Sequence, residues 1–348
     1  KEVKPYFDNI IYGYAENEIA QHFGYHVPKE SIQHPPLVGY VSTPKGIKVN
    51  CVGYLFTGRG CPFSCEFCQT PAFCKKAYKL PLDSIKQVID YYKTLGISQV
   101  IILDENFGIF NQHADDIIDY LHKNNFYWFA DLRADYLSKK LEDWKDKRMA
   151  GVLTAIESLN QQTLDKMNKK VDIDTVLSTI KKLVSYHKMT VGFYMIGFEH
   201  ETIESIKQDI KTIASLQLDI TQLCVLTPLP ETPLWKHIEE TYGIIDKDWH
   251  HYNAKHLVWN HPHISPKEMR KLVEWSFNTL YPPIRSLQTT QRFITRYLKT
   301  DGLLPGTKYT IKHFIHANTF DYKAKKELFL SLPKPTAQNI DFSTTNPY

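Results

Sequence analysis

Cysteine is scarce in this chain, with six in 348 residues, and no pairing pattern like that of a disulfide framework is visible. That excludes a small stapled secreted domain, and the opening Lys1-Glu-Val-Lys does not read as a signal peptide; both predict a cytoplasmic protein. Long apolar runs are also missing. None approaches the roughly 20 residues that span a bilayer, so no transmembrane segment is expected. Charge of one sign is lacking too: 42 Lys and Arg stand against 38 Asp and Glu, a formal net charge of +4. With the lysines scattered, there is no strong case for nucleic acid or an anionic membrane as partner. An initiating methionine is absent, and the chain is expected to be a piece of a longer one. Hydrophobic content of 43% and aromatic content of 13% are ample for a core of one large domain or two ordinary ones.

Against that scarcity, three cysteines crowd into one run, Gly58-Arg-Gly-Cys61-Pro-Phe-Ser-Cys65-Glu-Phe-Cys68. Thiolates spaced C-x3-C-x2-C on a tight loop can converge on an iron–sulfur cluster or a metal ion. Three ligands leave one iron of a four-iron cluster without a protein ligand, which is a catalytic arrangement. A closed zinc or electron-transfer site needs a fourth ligand, and Cys74 and Cys51 stand near enough in sequence to offer one. Gly58, Gly60 and Pro62 shape the loop.

Short β-branched and aromatic segments at 49–56, 99–103, 126–130, 152–156, 190–196 and 220–226 predict buried strands. Between them run amphipathic helices: Ile85, Val88, Ile89, Tyr92 and Leu95 mark one stripe, Val176, Leu177, Ile180, Leu183 and Val184 another, and Ile203, Ile206, Ile210 and Ile213 a third. Asp83 and Asp174 are the expected N-caps of the first two. Alternation of this kind predicts an α/β fold, a partial (β/α)6 TIM-like barrel with an open side, followed by a mostly helical C-terminal appendage. The cysteine loop follows the first strand, at the edge where parallel βα folds hold their sites. The expected domains are 1–48, a remnant or linker of an upstream domain containing Pro28, Pro35 and Pro36; 49–235, the barrel; and 236–348, the helical domain. In the last, Ser265-Pro-Lys-Glu268 predicts a capping box opening a helix with Met269, Leu272, Val273, Phe277 and Leu280. His250, His251, His256, His261 and His263 match no compact metal motif and read as part of a lid.

The cysteine run, with Phe67 before its third cysteine, resembles the signature of the radical SAM enzymes. Further segments in the right order extend the resemblance over residues 50–235: Leu103-Asp-Glu-Asn-Phe-Gly108, Ala130-Asp-Leu-Arg-Ala-Asp135, Thr154-Ala-Ile-Glu157-Ser158, Gly192-Phe-Tyr-Met-Ile-Gly197-Phe-Glu199 and Pro228-Leu-Pro-Glu-Thr-Pro-Leu-Trp235. Tyr12-Gly-Tyr-Ala-Glu16 is similar to the end of the cobalamin-binding domain found in one branch, although that domain itself is not in these residues. The resemblance implies that Cys61, Cys65 and Cys68 hold a 4Fe–4S cluster and that its open iron chelates S-adenosylmethionine, whose reductive cleavage yields a 5′-deoxyadenosyl radical. It implies that Phe67 packs beside adenine, that Asp104 and Glu105 meet the methionine ammonium, and that Arg133 pairs with its carboxylate; a structural pair of Arg133 with Asp131 or Asp135 fits equally well. Glu157 and Ser158 would face the ribose or ammonium, and Gly197 and Glu199 the adenine. A low-potential electron donor such as flavodoxin or ferredoxin and a bulky organic substrate complete the expected partners, with cobalamin-dependent methyl transfer as the expected reaction. Cobalamin-independent radical chemistry and a non-catalytic metal protein are the alternatives. Cys74 stands as a fourth ligand or a radical quencher.

Overall fold

The computed structural model describes residues 7–11, 15–26, 35–42, 48–74, 76–282 and 291. After the short helix α1 (Glu16–His22), strands β1 (Leu37–Ser42) and β2 (Lys48–Leu55) form an antiparallel pair. A minor two-stranded sheet follows, β3 (Gly58–Arg59) with β4 (Tyr78–Lys79), flanking the four-residue helix α2 (Thr70–Phe73). Then strands and helices alternate: α3 (Leu82–Thr94), β5 (Gln99–Ile102), α4 (Asn111–Lys123), β6 (Tyr127–Asp131), α5 (Ala134–Trp144), β7 (Met149–Glu157), α6 (Gln161–Lys166), α7 (Ile173–Ser185), β8 (Met189–Ile196), α8 (Ile203–Ser215) and β9 (Ile220–Val225). Helices α9 (Pro233–Thr241) and α10 (Pro266–Leu280) close the described chain.

The main sheet runs β1-β2-β5-β6-β7-β8-β9, and every pair from β2 onward is parallel. Its order never reverses, so the helices wind to one side and the sheet curls as a partial barrel instead of a doubly wound layer. The six expected strands are β2 and β5 through β9. Within the stretch read as linker, β1 adds a seventh, antiparallel strand. The Tyr92 hydroxyl of α3 ties it down, accepting from Leu37 N at 3.0 Å and lying 2.6 Å from Tyr54 O.

Alternation sets the two faces. On β6, Trp128 and Ala130 are buried under the helices while Tyr127, Phe129 and Asp131 point inward and stay half-exposed. The same parity turns Ile101, Leu153, Ala155 and Phe193 into the barrel. The outer face carries the core. Ile85, Val88, Ile89 and Tyr92 of α3 bury against one half of the sheet, and Val176, Ile180, Ile206, Ile210 and Ile213 against the other.

Two capping expectations are corrected. Pro81, not Asp83, precedes α3, and Asp172, not Asp174, caps α7 by accepting from Thr175 N. Both predicted aspartates lie within the first turn, where their charge still favours the helix dipole. The Ser265/Glu268 box forms as expected. Helix α10 packs on α8 and shares the barrel's core through Met269, Leu272 and Leu280. Its C-cap residue Tyr281 blunts the last strand: its hydroxyl accepts from Thr221 N at 2.7 Å and donates to Thr221 O at 2.6 Å. Among the described residues no helix is long and apolar enough to cross a membrane.

Candidate active site

The cysteine loop is an excursion between β3 and β4, whose pairing of Gly58 with Lys79 and Arg59 with Tyr78 closes its base. It lies over the C-terminal edge of the sheet, held there by neighbouring loops. Glu66 N donates to Met167 O at 3.0 Å, Asn168 Nδ2 to Ser64 O at 2.8 Å, Gln69 Nε2 to Pro230 O at 3.1 Å, and Leu234 N to Glu66 O at 3.0 Å. Cys68 N donates to Cys65 O at 3.0 Å, closing a tight turn between the two. Gly60 takes φ +75°, and a Cβ there would sit 2.7 Å from Cys74 Sγ and 2.9 Å from Lys76 O. Gly60→Ala is therefore expected to cost roughly 1–3 kcal/mol and to weaken metal retention, measured by thermal melting and by iron content after reconstitution.

Burial raises the pKa of both Cys61 and Cys65, Cys65 being 8% exposed. Cys68 adds to both shifts, so the three thiols share one electrostatic neighbourhood. Lys169 and Arg133 pull Cys65 the other way, and Arg133 does the same for Cys61. Thiolates, not thiols, bind metal, and these two cations favour them. Cys74 is not brought to the set; its thiol donates to Lys76 O at 3.3 Å. Cys51 lies outside the described side chains. Among the described residues no group of three or more His, Cys, Asp or Glu converges as a single-ion site. Three thiolates that each take a different iron of one cluster have no need of such convergence. One buried donor also faces this loop: Asn106 Nδ2 has no acceptor, and its amide lowers the Cys61 pKa. The donor set therefore fits a 4Fe–4S cluster.

The other predicted residues divide. Asp104, 8% exposed, accepts from Thr57 N at 2.6 Å and from the Thr57 hydroxyl, and Gly58 N also bonds it. Burial pushes its pKa to about 6. It clamps the β2–β3 corner. Glu105, though exposed, accepts from Gly60 N at 3.0 Å, bracing the base of the cysteine loop.

Arg133 makes four side-chain hydrogen bonds within the protein. It forks onto Asp135 at 2.9 and 3.1 Å, donates to Lys169 O at 2.7 Å and Lys170 O at 2.8 Å, and lies 3.9 Å above the Phe63 ring. The structural pairing with Asp135 forms, its two bonds matching the guanidinium fork. Glu157 ends β7 at φ +63° and binds Lys169 at 2.7 Å, both side chains nearly buried. The Ser158 hydroxyl accepts from Asn160 N at 3.1 Å. Phe67 packs partly buried against the core, with Lys169 Nζ 5.7 Å from its ring centroid. Gly197 takes φ +87°, and Glu199 meets His237 at 2.8 Å on the rim. Of the histidines in the lid segment, His251 binds Asp246 at 2.6 Å and His261 binds Phe198 O at 2.9 Å.

Four residues have surroundings that the sequence reading did not anticipate. Lys169 is the partner that a buried Glu157 required, but nothing in Asn168-Lys-Lys170 distinguishes it from a solvated lysine. Asn106 sits unremarked inside the acidic segment. Glu201 accepts from Gly197 N at 2.6 Å and Phe198 N at 2.9 Å, and burial raises its pKa to about 7. Asp131 faces the barrel interior next to the Lys169–Glu157 pair; burial raises its pKa to about 7, with Lys169 opposing.

The folded state holds the Glu201 proton more tightly than the unfolded chain, whose value is near 4.5. Its contribution to stability is complete below pH 4.5 and is lost as pH rises through about 7, up to roughly 2–3 kcal/mol. Melting curves of Glu201→Gln are expected to show a flatter pH dependence over that window than the parent.

The model of the Radical SAM superfamily matches residues 55–213. An uncharacterised methyltransferase of Pyrococcus horikoshii is 25% identical over 236 residues, covering 66% of this chain and 51% of that protein. Bacteriochlorophyllide d C-8(2)-methyltransferase of Chlorobaculum tepidum is 28% identical over 260 residues, covering 66% and 56%. The chain thus spans about half the length of these relatives. Among solved structures, the cobalamin-dependent S-adenosylmethionine radical enzyme OxsB, with aqua-cobalamin and S-adenosylmethionine bound, superposes with a TM-score of 0.51 at 12% identity, covering 80% of this chain and 52% of that one. It shares the fold. The signature loop, the strand order and the matched segment agree: residues 55–213 are similar to the radical SAM domain, and the cysteine loop lies inside that match.

Proposed function

We propose that the chain is the radical SAM part of a cobalamin-dependent methyltransferase acting on carbon of a bulky, largely apolar substrate, with Cys61, Cys65 and Cys68 as cluster ligands. The observation that carries this reading is the three-thiol loop fixed over a half-exposed, apolar-walled barrel interior. The methyltransferases among its relatives support the reaction class. When bound, cluster and S-adenosylmethionine supply one-electron cleavage of a sulfonium, and cobalamin supplies a methyl carrier.

The chain's own residues prepare the place. Ile101, Phe129, Leu153, Ala155 and Phe193 line the interior and keep water from the reacting groups. Lys169 and Glu157 set a fixed ion pair beside Cys65. Asp131, titrating near neutrality, can hold or release a proton at the substrate's edge. Glu16, at the end of the segment resembling a cobalamin-domain terminus, binds Arg59 at 3.1 Å, one residue from the loop's Gly60; positions 12–14 of that segment lie outside the described residues. A cytosolic flavodoxin or ferredoxin fits as the electron source.

The test is anaerobic incubation of the reconstituted protein with methyl-labelled S-adenosylmethionine and reductant, with and without cobalamin. Cobalamin-stimulated S-adenosylhomocysteine alongside 5′-deoxyadenosine is expected. Formation of 5′-deoxyadenosine alone, whatever cobalamin is supplied, contradicts methyl transfer.

A further inference from the structure

The geometry assigns Asn106 as a positioning residue of the cluster, its side-chain amide donating an N–H to the Cys61 sulfur. Asn106 is 4% exposed, in the loop that leaves the C-terminal end of β5. Its orientation is fixed chemically. Arg133 N donates to Asn106 Oδ1 at 3.2 Å, and a backbone N–H requires an oxygen there, so Nδ2 must be the opposite arm. That arm is buried and has no acceptor among the described residues. A buried amide donor left unmet is costly, and native structures almost always supply a partner. Its neighbours set it against the first cysteine: the adjacent Glu105 accepts from Gly60 N at 3.0 Å, and Arg133, whose backbone holds Asn106 Oδ1, lies 3.9 Å above the Phe63 ring, so Gly60 and Phe63 on either side of Cys61 are both fixed beside it.

A neutral thiol is a poor acceptor. A cysteine sulfur carrying the charge of a cluster is a far better one, and hydrogen bonds to charged groups are the stronger class. Asn106 thus joins the anchored Arg133 backbone to the first cysteine of the loop, with a donor that finds its acceptor only once the sulfur is anionic. Such a bond favours the reduced, more negative cluster and raises its reduction potential. In an enzyme that must reduce its cluster before S-adenosylmethionine can be cleaved, that sets how readily an external donor loads the electron.

This inference rests on Cys61, Cys65 and Cys68 being the ligands, and the experiment separates the two. The protein is reconstituted anaerobically, its iron counted, and its cluster midpoint measured by EPR-monitored redox titration, for the parent, Asn106→Asp and Asn106→Ala. Asn106→Asp keeps the acceptor for Arg133 N and the side-chain volume but removes the donor. It is expected to lower the midpoint by an amount equivalent to a tenfold harder reduction, about 59 mV for one electron. Loss of iron from Asn106→Asp at an unchanged melting temperature supports the assignment as well, since an anion then faces the thiolate. Should Asn106→Asp not fold, the midpoint of Asn106→Ala is read in the same way. A midpoint and iron content equal to the parent's in Asn106→Asp, whether or not Asn106→Ala is impaired, would overturn it in favour of a purely structural amide. Absence of any cluster from the parent would overturn the ligand reading itself, and this assignment with it.

Discussion

Cys61→Ala, Cys65→Ala and Cys68→Ala combined are expected to abolish both cluster uptake and cleavage of S-adenosylmethionine. Each single substitution should fall nearly as far, because ligands of one site act as a unit and their losses do not add. The reasons are local. Cys65 is buried, its thiol is raised by that burial, and Cys68 raises both it and Cys61. Only a bound metal centre repays ionising three thiols so close together, and two thiolates cannot hold it. Cys74→Ala serves as the contrast. Its thiol is turned to Lys76 O, so iron, sulfide and 5′-deoxyadenosine yields should remain near the parent's. Iron and sulfide analysis with chromatography of the cleavage products measures all of these at once.

Lys169→Met is expected to be the most damaging substitution outside the cysteines. Lys169 and Glu157 form a pair whose side chains are 10% and 9% exposed, 2.7 Å apart. Removing the lysine strands a buried carboxylate, which costs about 3–5 kcal/mol, whereas removing both charges together costs far less. Burial by itself lowers the Lys169 pKa, but Glu157 more than reverses this, so the ammonium stays charged. A fall in melting temperature of about 10 °C is expected, along with a weaker hold on the cluster because Cys65 loses the cation that favours its thiolate. Adding Glu157→Gln to Lys169→Met should recover most of the stability but not the cluster affinity. That split separates the packing role of the pair from its electrostatic role, and calorimetry with iron analysis reads it.

The strands were legible because each is a short β-branched or aromatic run buried on at least its helix-facing side, and all six predicted segments form. The three-cysteine loop was legible because few other chemistries need that spacing. What the residues around it do was less so. Arg133 and Asp104 are charged residues at strand ends, where a cofactor contact and an internal clamp carry the same local signature. The bonds to Asp135, Lys169 O and Thr57 are tertiary and leave no mark in the local sequence. Lys169 and Asn106 matter through partners 12 and 27 residues away along the chain, Glu157 and Arg133. No local pattern of propensity or period encodes such pairings. Strand β1 hid for a different reason. It follows Pro35 and Pro36 in a polar stretch and pairs antiparallel at the edge of a parallel sheet, where a weak strand suffices.

The central claim is that three thiolates hold a cluster whose fourth iron takes S-adenosylmethionine. EPR of the reduced, anaerobically reconstituted protein, recorded before and after adding S-adenosylmethionine, tests it most directly. A 4Fe–4S signal that changes shape on addition, and that is missing from the Cys61/Cys65/Cys68→Ala protein, is the predicted result. A signal unmoved by S-adenosylmethionine, or one that depends on Cys74, would contradict it.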